Sequence, residues 1–191
     1  MTTQPVSLLP VTFAPLTPIE GIGFRLAQQE DLQALWESCY PETDWEQFQE
    51  HYRYLLRWQE HGRCYILIAE CLEEKSRKVP QGFGVSQSFW GEAQGHYPRI
   101  VGSGQLILQR EKVEIAELAV YPNFRNRGIG TAMIEILTRI AQGRNKHMLE
   151  IGADVENQAA LRLYRRLGFG RERWLHLPDG QEVVILHKHL I

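Results

Sequence analysis

The sequence predicts an α/β (α+β) fold: a mixed, mostly antiparallel twisted sheet of about seven strands with a parallel pair at its centre, and about four helices. Three observations carry this expectation. An apolar strand pattern over Val113–Val120 is followed by a glycine bend, an amphipathic helix pattern and a second strand pattern over 147–155. A strand, a crossover helix and a strand make a parallel, right-handed unit. Next, three β-rich runs, 65–72, 99–108 and 113–120, succeed one another across connections, as antiparallel neighbours do. Finally, 191 residues with 43% hydrophobic and 23% charged content suffice for one domain with a sizeable core.

Residues 1–20 carry Pro5, Pro10, Pro15 and Pro18. Proline removes backbone donors, so this segment is expected to be an extended arm, with 21–191 as a single domain. Its apolar side chains, among them Val11, Phe13 and Leu16, suit contact with the body or with a second copy; a loose tail is the other reading. Residues 22–26 read as a strand. Gln29, Glu30 and Asp31 open a helix striped by Leu32, Leu35, Trp36 and Cys39, which Pro41 stops. Asp44 suits the N-cap of a second helix reaching about residue 60, with Trp45, Phe48, Tyr52, Leu55 and Leu56 near one face. Residues 65–72 form a strand, 73–81 a charged hairpin tip, and 82–97 either a loop beside the site or a partner surface. Strands at 99–108 and 113–120 flank a polar turn at 109–112. A helix over 131–142 packs Met133, Ile136, Leu137 and Ile140 on the sheet, with Gly143 as its C′ residue. A strand over 147–155, a helix from Asn157 or Gln158 to Leu167, the terminator Gly168, and strands at 169–175 and 181–189 around Pro178-Asp179-Gly180 complete the chain.

The informative stretch is Val113–Val120, then Tyr121-Pro122-Asn123-Phe124, then Arg125-Asn126-Arg127-Gly128-Ile129-Gly130 before the helix. A strand, a glycine bend and a helix start make an anion cradle. The first turn of a helix presents free N–H groups at the positive end of its dipole, and glycines let a phosphate approach the backbone. The Walker sequence is excluded because no Lys follows the last glycine. The dinucleotide fingerprint is excluded because Met133 stands where its third glycine belongs.

What remains, Arg125-x-x-Gly128-x-Gly130 behind Glu-Leu-Ala-Val-Tyr-Pro, resembles the acyl-CoA pyrophosphate loop of the GNAT N-acetyltransferase superfamily. The run from Glu156 through Asn157, Ala159, Ala160, Tyr164, Leu167 and Gly168 to Phe169 resembles that superfamily's second hallmark, an Asn, an Ala-rich helix, then Tyr and Leu-Gly-Phe. The resemblance implies a sheet splayed at its parallel pair. It also implies acetyl-CoA as co-substrate, no metal, and transfer of an acetyl group to a primary amine by direct attack in a ternary complex. Binding of the diphosphate falls to Arg125, Asn126, Arg127, Gly128, Ile129, Gly130 and Thr131, and the strand before them, Leu118, Ala119 and Val120, offers an N–H to the thioester carbonyl. Asn157 and Tyr164, seven residues apart, lie within about 20° of one helix face and about 10.5 Å apart along its axis. A pantetheine arm on that face would meet Asn157 through its amides and Tyr164 near its thiol; a plain N-cap and a core tyrosine are the structural alternatives.

The chemistry sets the remaining requirements. A primary amine with a pKa near 10.4 must lose a proton, which costs about 4 kcal/mol at neutral pH. Glu117, then Glu114, then Glu150 are the candidate bases, each also readable as an ordinary surface carboxylate. Glu114 and Glu117 point to opposite faces of a regular strand unless a bulge intervenes. Tyr164 is the candidate acid for the leaving thiolate. Arg162, Arg165 and Arg166 either reach a further phosphate or solvate their helix. A catalytically silent acyl-CoA-binding sensor or interaction module is the alternative function.

Composition bounds the partners. A net charge of −2 speaks against binding nucleic acid through a basic surface. No apolar run is long enough to span a bilayer, and residues 1–20 lack the basic start of a signal peptide. Cys39, Cys64 and Cys71 are odd in number and widely spaced, which suggests reduced thiols in a cytoplasmic protein. His187 and His189 have no carboxylate partner near in sequence and are read as non-metal. The expected partners are a small-molecule or peptide amine, with a homodimer possible through the arm; Glu46 and Glu50 hint at a cationic acceptor.

Overall fold

A computed structural model describes residues 11–72, 99–110, 113–178 and 180–190. The order is β1 (Thr12–Phe13), β2 (Ile22–Leu26), a 3-10 turn (Gln29–Asp31), α1 (Leu32–Cys39), α2 (Trp45–Glu60), β3 (Cys64–Cys71), β4 (Ile100–Leu108) and β5 (Val113–Val120). After a second 3-10 turn (Pro122–Phe124) come α3 (Ile129–Gly143), β6 (Met148–Asp154), α4 (Gln158–Arg166), β7 (Gly170–His176) and β8 (Glu182–His189). The strands form one sheet in the order β1-β2-β3-β4-β5-β6-β8-β7. Among the described strands, β5 and β6 make the parallel pair and the other neighbours run antiparallel.

Period-two alternation sorts the sheet residues onto two faces. Tyr65, Leu67 and Ala69 of β3 join Ile115, Ile151, Val184 and Leu186 in a core roofed by Met133, Ile136 and Leu137 of α3 and by Leu161 and Tyr164 of α4. Cys64, Ile66 and Ile68 point the other way and pack with Leu35 of α1 and with Phe48, Tyr52 and Leu55 of α2. The sheet is therefore the middle layer of three at β3 and β4, which explains why β3 is buried along nearly its whole length.

The sequence expectation of about seven strands becomes eight, because Thr12–Phe13 of the arm adds to the edge of β2. The arm residues from Val11 onward are thus fastened to the body, with Phe13 and Ile19 against the core and Arg139 donating to the Ala14 carbonyl. Helix α3 begins at Ile129, two residues before the expected start. Gly143 is its last helical residue rather than C′; Asn145, at φ 54°, takes the left-handed position, which asparagine tolerates. Helix α2 starts where Asp44 was expected to cap it, the Asp44 carboxylate accepting from the Gln47 amide at 3.0 Å. The charged tip at 73–81, the segment 82–97 and part of the 109–112 turn lie outside the described residues.

A four-membered ion cluster closes one end of the sheet. Arg25 of β2 donates to Asp31 at 2.6 and 2.8 Å and to Glu70 of β3 at 3.0 Å, and Arg99 also reaches Asp31. Arg25 and Asp31 are nearly fully buried. Among the described residues no helix is long and apolar enough to cross a membrane. No group of three or more metal-type side chains is gathered among them.

Candidate functional site

The parallel pair is short. β5 and β6 share only the pairs Glu114↔Glu150 and Ile115↔Ile151. Beyond them β5 stays on β4 and β6 stays on β8, so Ala116–Val120 and Gly152–Asp154 run without a common ladder.

The cause is local. Ser103 pairs with Ala119, yet Gln105 pairs with Ala116, so two residues of β5, Glu117 and Leu118, stand against Gly104 alone. This is a β-bulge, and its first residue, Glu117, has φ 51°. Gly104 leaves room for it: a Cβ there would meet Leu118 Cδ1 at 2.9 Å and Met133 Cε at 3.3 Å. The bulge shifts the alternation, so Leu118 and Val120 face α3 along with Ile115. Glu117 is exposed, its carbonyl accepts from the Tyr40 hydroxyl at 2.9 Å, and its carboxylate adds to the burial that pushes the Tyr52 phenol up.

At the end of β5 the chain turns through Pro122–Phe124 into the glycine bend. Asn126 and Gly128 both have positive φ, 60° and 83°, and Gly128 is the N-cap of α3. Gly128 has no side chain with which to cap this helix. Its first intrahelical bond runs from the Ala132 amide to the Gly128 carbonyl at 2.9 Å, so the amides of Ile129, Gly130 and Thr131 lie ahead of the ladder. Val120 Cγ2 and Leu163 Cδ2 of α4 would stand 3.9 and 3.5 Å from a Cβ on Gly130. The helix start therefore sits beside the end of β5 and against α4.

The arginines divide differently from the sequence expectation. Arg125 turns back, its Nε donating to the Val120 carbonyl at 3.0 Å. Arg127 lies over the Phe124 ring at 4.7 Å. Arg165 is bound to Glu172 on β7 at 2.6 Å. Arg166 is the one of this group that leans toward the start of α3, with Nη2 3.4 Å from Thr131 Oγ1. In sequence Arg165 and Arg166 are indistinguishable; only the placement of β7 separates them.

Asn157 caps α4, its Oδ1 accepting from the Ala160 amide at 3.1 Å. Its amide nitrogen is not consumed by that bond. Two turns on, Tyr164 is 5% exposed, its ring beside Phe169. Burial pushes its phenol up to about 12. Its hydroxyl makes no hydrogen bond among the described residues and is not among the sealed, unpartnered polar atoms.

The three glutamates fall on one side of the sheet. Ile115 and Ile151 face α3, so Glu114 and Glu150, one residue before each, face away from it. Glu150 meets His187 of β8, its register partner, at 3.0 Å, and both side chains are largely buried. Sequence reading missed that contact because 37 residues separate the two. Tyr40, whose only sequence signal was its place at the end of α1, was missed for the same reason.

Similarity to known proteins agrees with this geometry. The Acetyltransferase (GNAT) family profile matches residues 29–169. Over 75 residues the chain is 41% identical to an uncharacterized N-acetyltransferase of Methanocaldococcus jannaschii. That match covers 37% of this chain and 33% of the relative, so the chain matches about a third of that protein's length. Among solved structures, the apo ribosomal L7/L12 alpha-N-protein acetyltransferase RimL superposes with a TM-score of 0.67, covering 98% of this chain and 99% of RimL at 14% identity. RimL in complex with coenzyme A gives a TM-score of 0.65, with 91% and 97% covered at 15% identity. With a family match across 29–169 and this fold beneath it, the chain belongs to the acetyltransferase (GNAT) family.

Proposed function

We propose that this protein is an acetyl-CoA-dependent N-acetyltransferase that carries an acetyl group directly to a primary amine. One observation supports the reading above the rest: the uncapped, glycine-opened start of α3 lies where β5 and β6 part. The amides of Ile129, Gly130 and Thr131 hold the diphosphate, with Arg166 adding charge. The thioester then enters the parting between Ala116–Val120 and Gly152–Asp154. RimL, whose fold this chain shares, binds coenzyme A.

The amine approaches from the face carrying the glutamates. The sequence placed Glu117 first among the bases, but the His187 contact favours Glu150, because a base needs a fixed orientation. The amine lone pair attacks the thioester carbon, the oxygen gains charge, and an amide of Leu118–Val120 stabilises it. Collapse expels the CoA thiolate, which takes the Tyr164 proton; Glu150 takes the proton that the amine nitrogen gives up, and exchange with water restores both groups. A phenol near 12 giving a proton to a thiolate near 8.5 is uphill by about 5 kcal/mol. The same burial that raises the phenol also raises a thiol beside it, so the transfer is late and the hydrogen bond does most of the stabilising.

The test is release of CoA thiol from acetyl-CoA across spermidine, a lysine side-chain analogue and peptides with free N-termini. Turnover on at least one amine is expected. Coenzyme A binding with no turnover on any would instead make the protein an acyl-CoA-binding module.

A further inference from the structure

The parting of β5 from β6 depends on a residue in the left-handed region, and glutamate has no special tolerance for that region. Something must hold it. The candidate lies across the sheet, on the α1 and α2 face. Tyr40, at the C-terminal end of α1, donates its hydroxyl to the carbonyl of Glu117, the bulge residue. The Tyr40 ring is itself held, 5.6 Å from Phe48 and 5.7 Å from Tyr52 of α2. Burial pushes the Tyr40 phenol well above its usual value, so it stays a donor throughout the working pH range. Tyr52 is anchored in turn by Gln105 of β4, at 3.0 Å. Gln105 and Ser103 are the two β4 residues between which the register slips, and both are fully buried on this face.

We propose that Tyr40 is a positioning residue for acetyl transfer. Its hydroxyl pins the Glu117 carbonyl, keeps the bulge open, and thereby aims the amides of Leu118–Val120 at the thioester carbonyl. This rests on the acetyl-transfer reading above. It makes α1 part of the machinery although α1 contributes no group that touches the reacting atoms. It also separates two jobs. The diphosphate grip at Gly128–Thr131 lies beyond the Pro122–Phe124 turn and does not depend on Tyr40, whereas the carbonyl-stabilising amides do.

The test compares Tyr40→Phe with Asp44→Ala, which removes the N-cap of α2 and so loosens the same face without touching the Tyr40 hydroxyl or the bulge. Amide hydrogen exchange of the ligand-free protein is read over β5, together with kcat and KM for acetyl-CoA using the fastest amine of the panel. Tyr40→Phe is expected to speed exchange at Leu118–Val120 about tenfold and to lower kcat about tenfold, with KM for acetyl-CoA within about twofold. Asp44→Ala is expected to lower the melting temperature by about 2–4 °C with kcat within about twofold of wild type. Unchanged β5 exchange in Tyr40→Phe, or equal kcat losses in both variants, overturns the assignment. If the wild-type protein turns over no amine, the functional reading fails, yet the exchange comparison still decides whether Tyr40 holds the bulge.

Discussion

At the scale of single residues, Asn157 and Tyr164 sit in different surroundings. Asn157 caps its helix, which the Asn-x-x-Ala pattern alone already permits. Tyr164 is buried, and its hydroxyl makes no hydrogen bond among the described residues, where a core tyrosine usually finds one. Tyr164→Phe is expected to lower kcat by about 10- to 100-fold while coenzyme A affinity stays within about twofold, measured by thiol release and calorimetry. Equal loss of both would make the residue structural. Because its phenol sits near 12, Tyr164 stays protonated through pH 10. The pH–rate profile is therefore expected to show no fall between pH 8 and 10 that Tyr164→Phe abolishes. The contacts of Glu150 with His187 and of Tyr40 with Glu117 were illegible in the sequence, since sheet order and bulge geometry create them and neither leaves a short-range pattern.

At the scale of elements, the strand, glycine bend and helix over 113–143 were legible to within about two residues. Local chemistry dictates them: apolar alternation, a left-handed glycine and amphipathic spacing. The length of the parallel pairing was not, because a bulge depends on what lies across the ladder. The two cradle glycines make separable predictions. Gly128 has φ 83°, so Gly128→Ala is expected to cost about 1–2 kcal/mol in urea unfolding. Gly130 sits in the first turn of α3 with only ordinary contacts around a new Cβ, the nearest at 3.5 Å. Gly130→Ala is expected to keep or slightly raise stability, since alanine suits a helix better by roughly 0.5–1 kcal/mol. It is expected nonetheless to weaken coenzyme A binding at least tenfold, because its methyl crowds the exposed amides. Unchanged affinity would place the diphosphate elsewhere. At α2, Asp44→Ala is expected to cost about 1 kcal/mol through the lost cap.

At the scale of the whole molecule, the strand order with β8 between β6 and β7 could not be read from the sequence, whose hairpin signal says that β7 and β8 pair but not which lies inside. The cluster of Arg25, Asp31, Glu70 and Arg99, buried at Arg25 and Asp31 and open at Arg99, joins β2, the turn before α1, β3 and the residue before β4. Burial alone would raise the Asp31 carboxyl, but hydrogen bonds from Arg25 and the Gln28 amide, with the charges of Arg25 and Arg99, hold it below the usual carboxylate value. A depressed native value contributes stability that is present above the unfolded pKa of about 3.9 and lost as pH falls through the native one. Unfolding free energy is therefore expected to fall below about pH 4, and Asp31→Asn to flatten that fall while costing about 3 kcal/mol at neutral pH. A variant with an unchanged acid limb would remove Asp31 from the account. The short shared ladder of β5 and β6 has a last consequence. Under the proposed reading it leaves a slot through the sheet, with one side given to the donor and the other to the acceptor. The two substrates then enter by separate doors, neither blocks the other, and one flank can change its clientele while the other keeps the same currency.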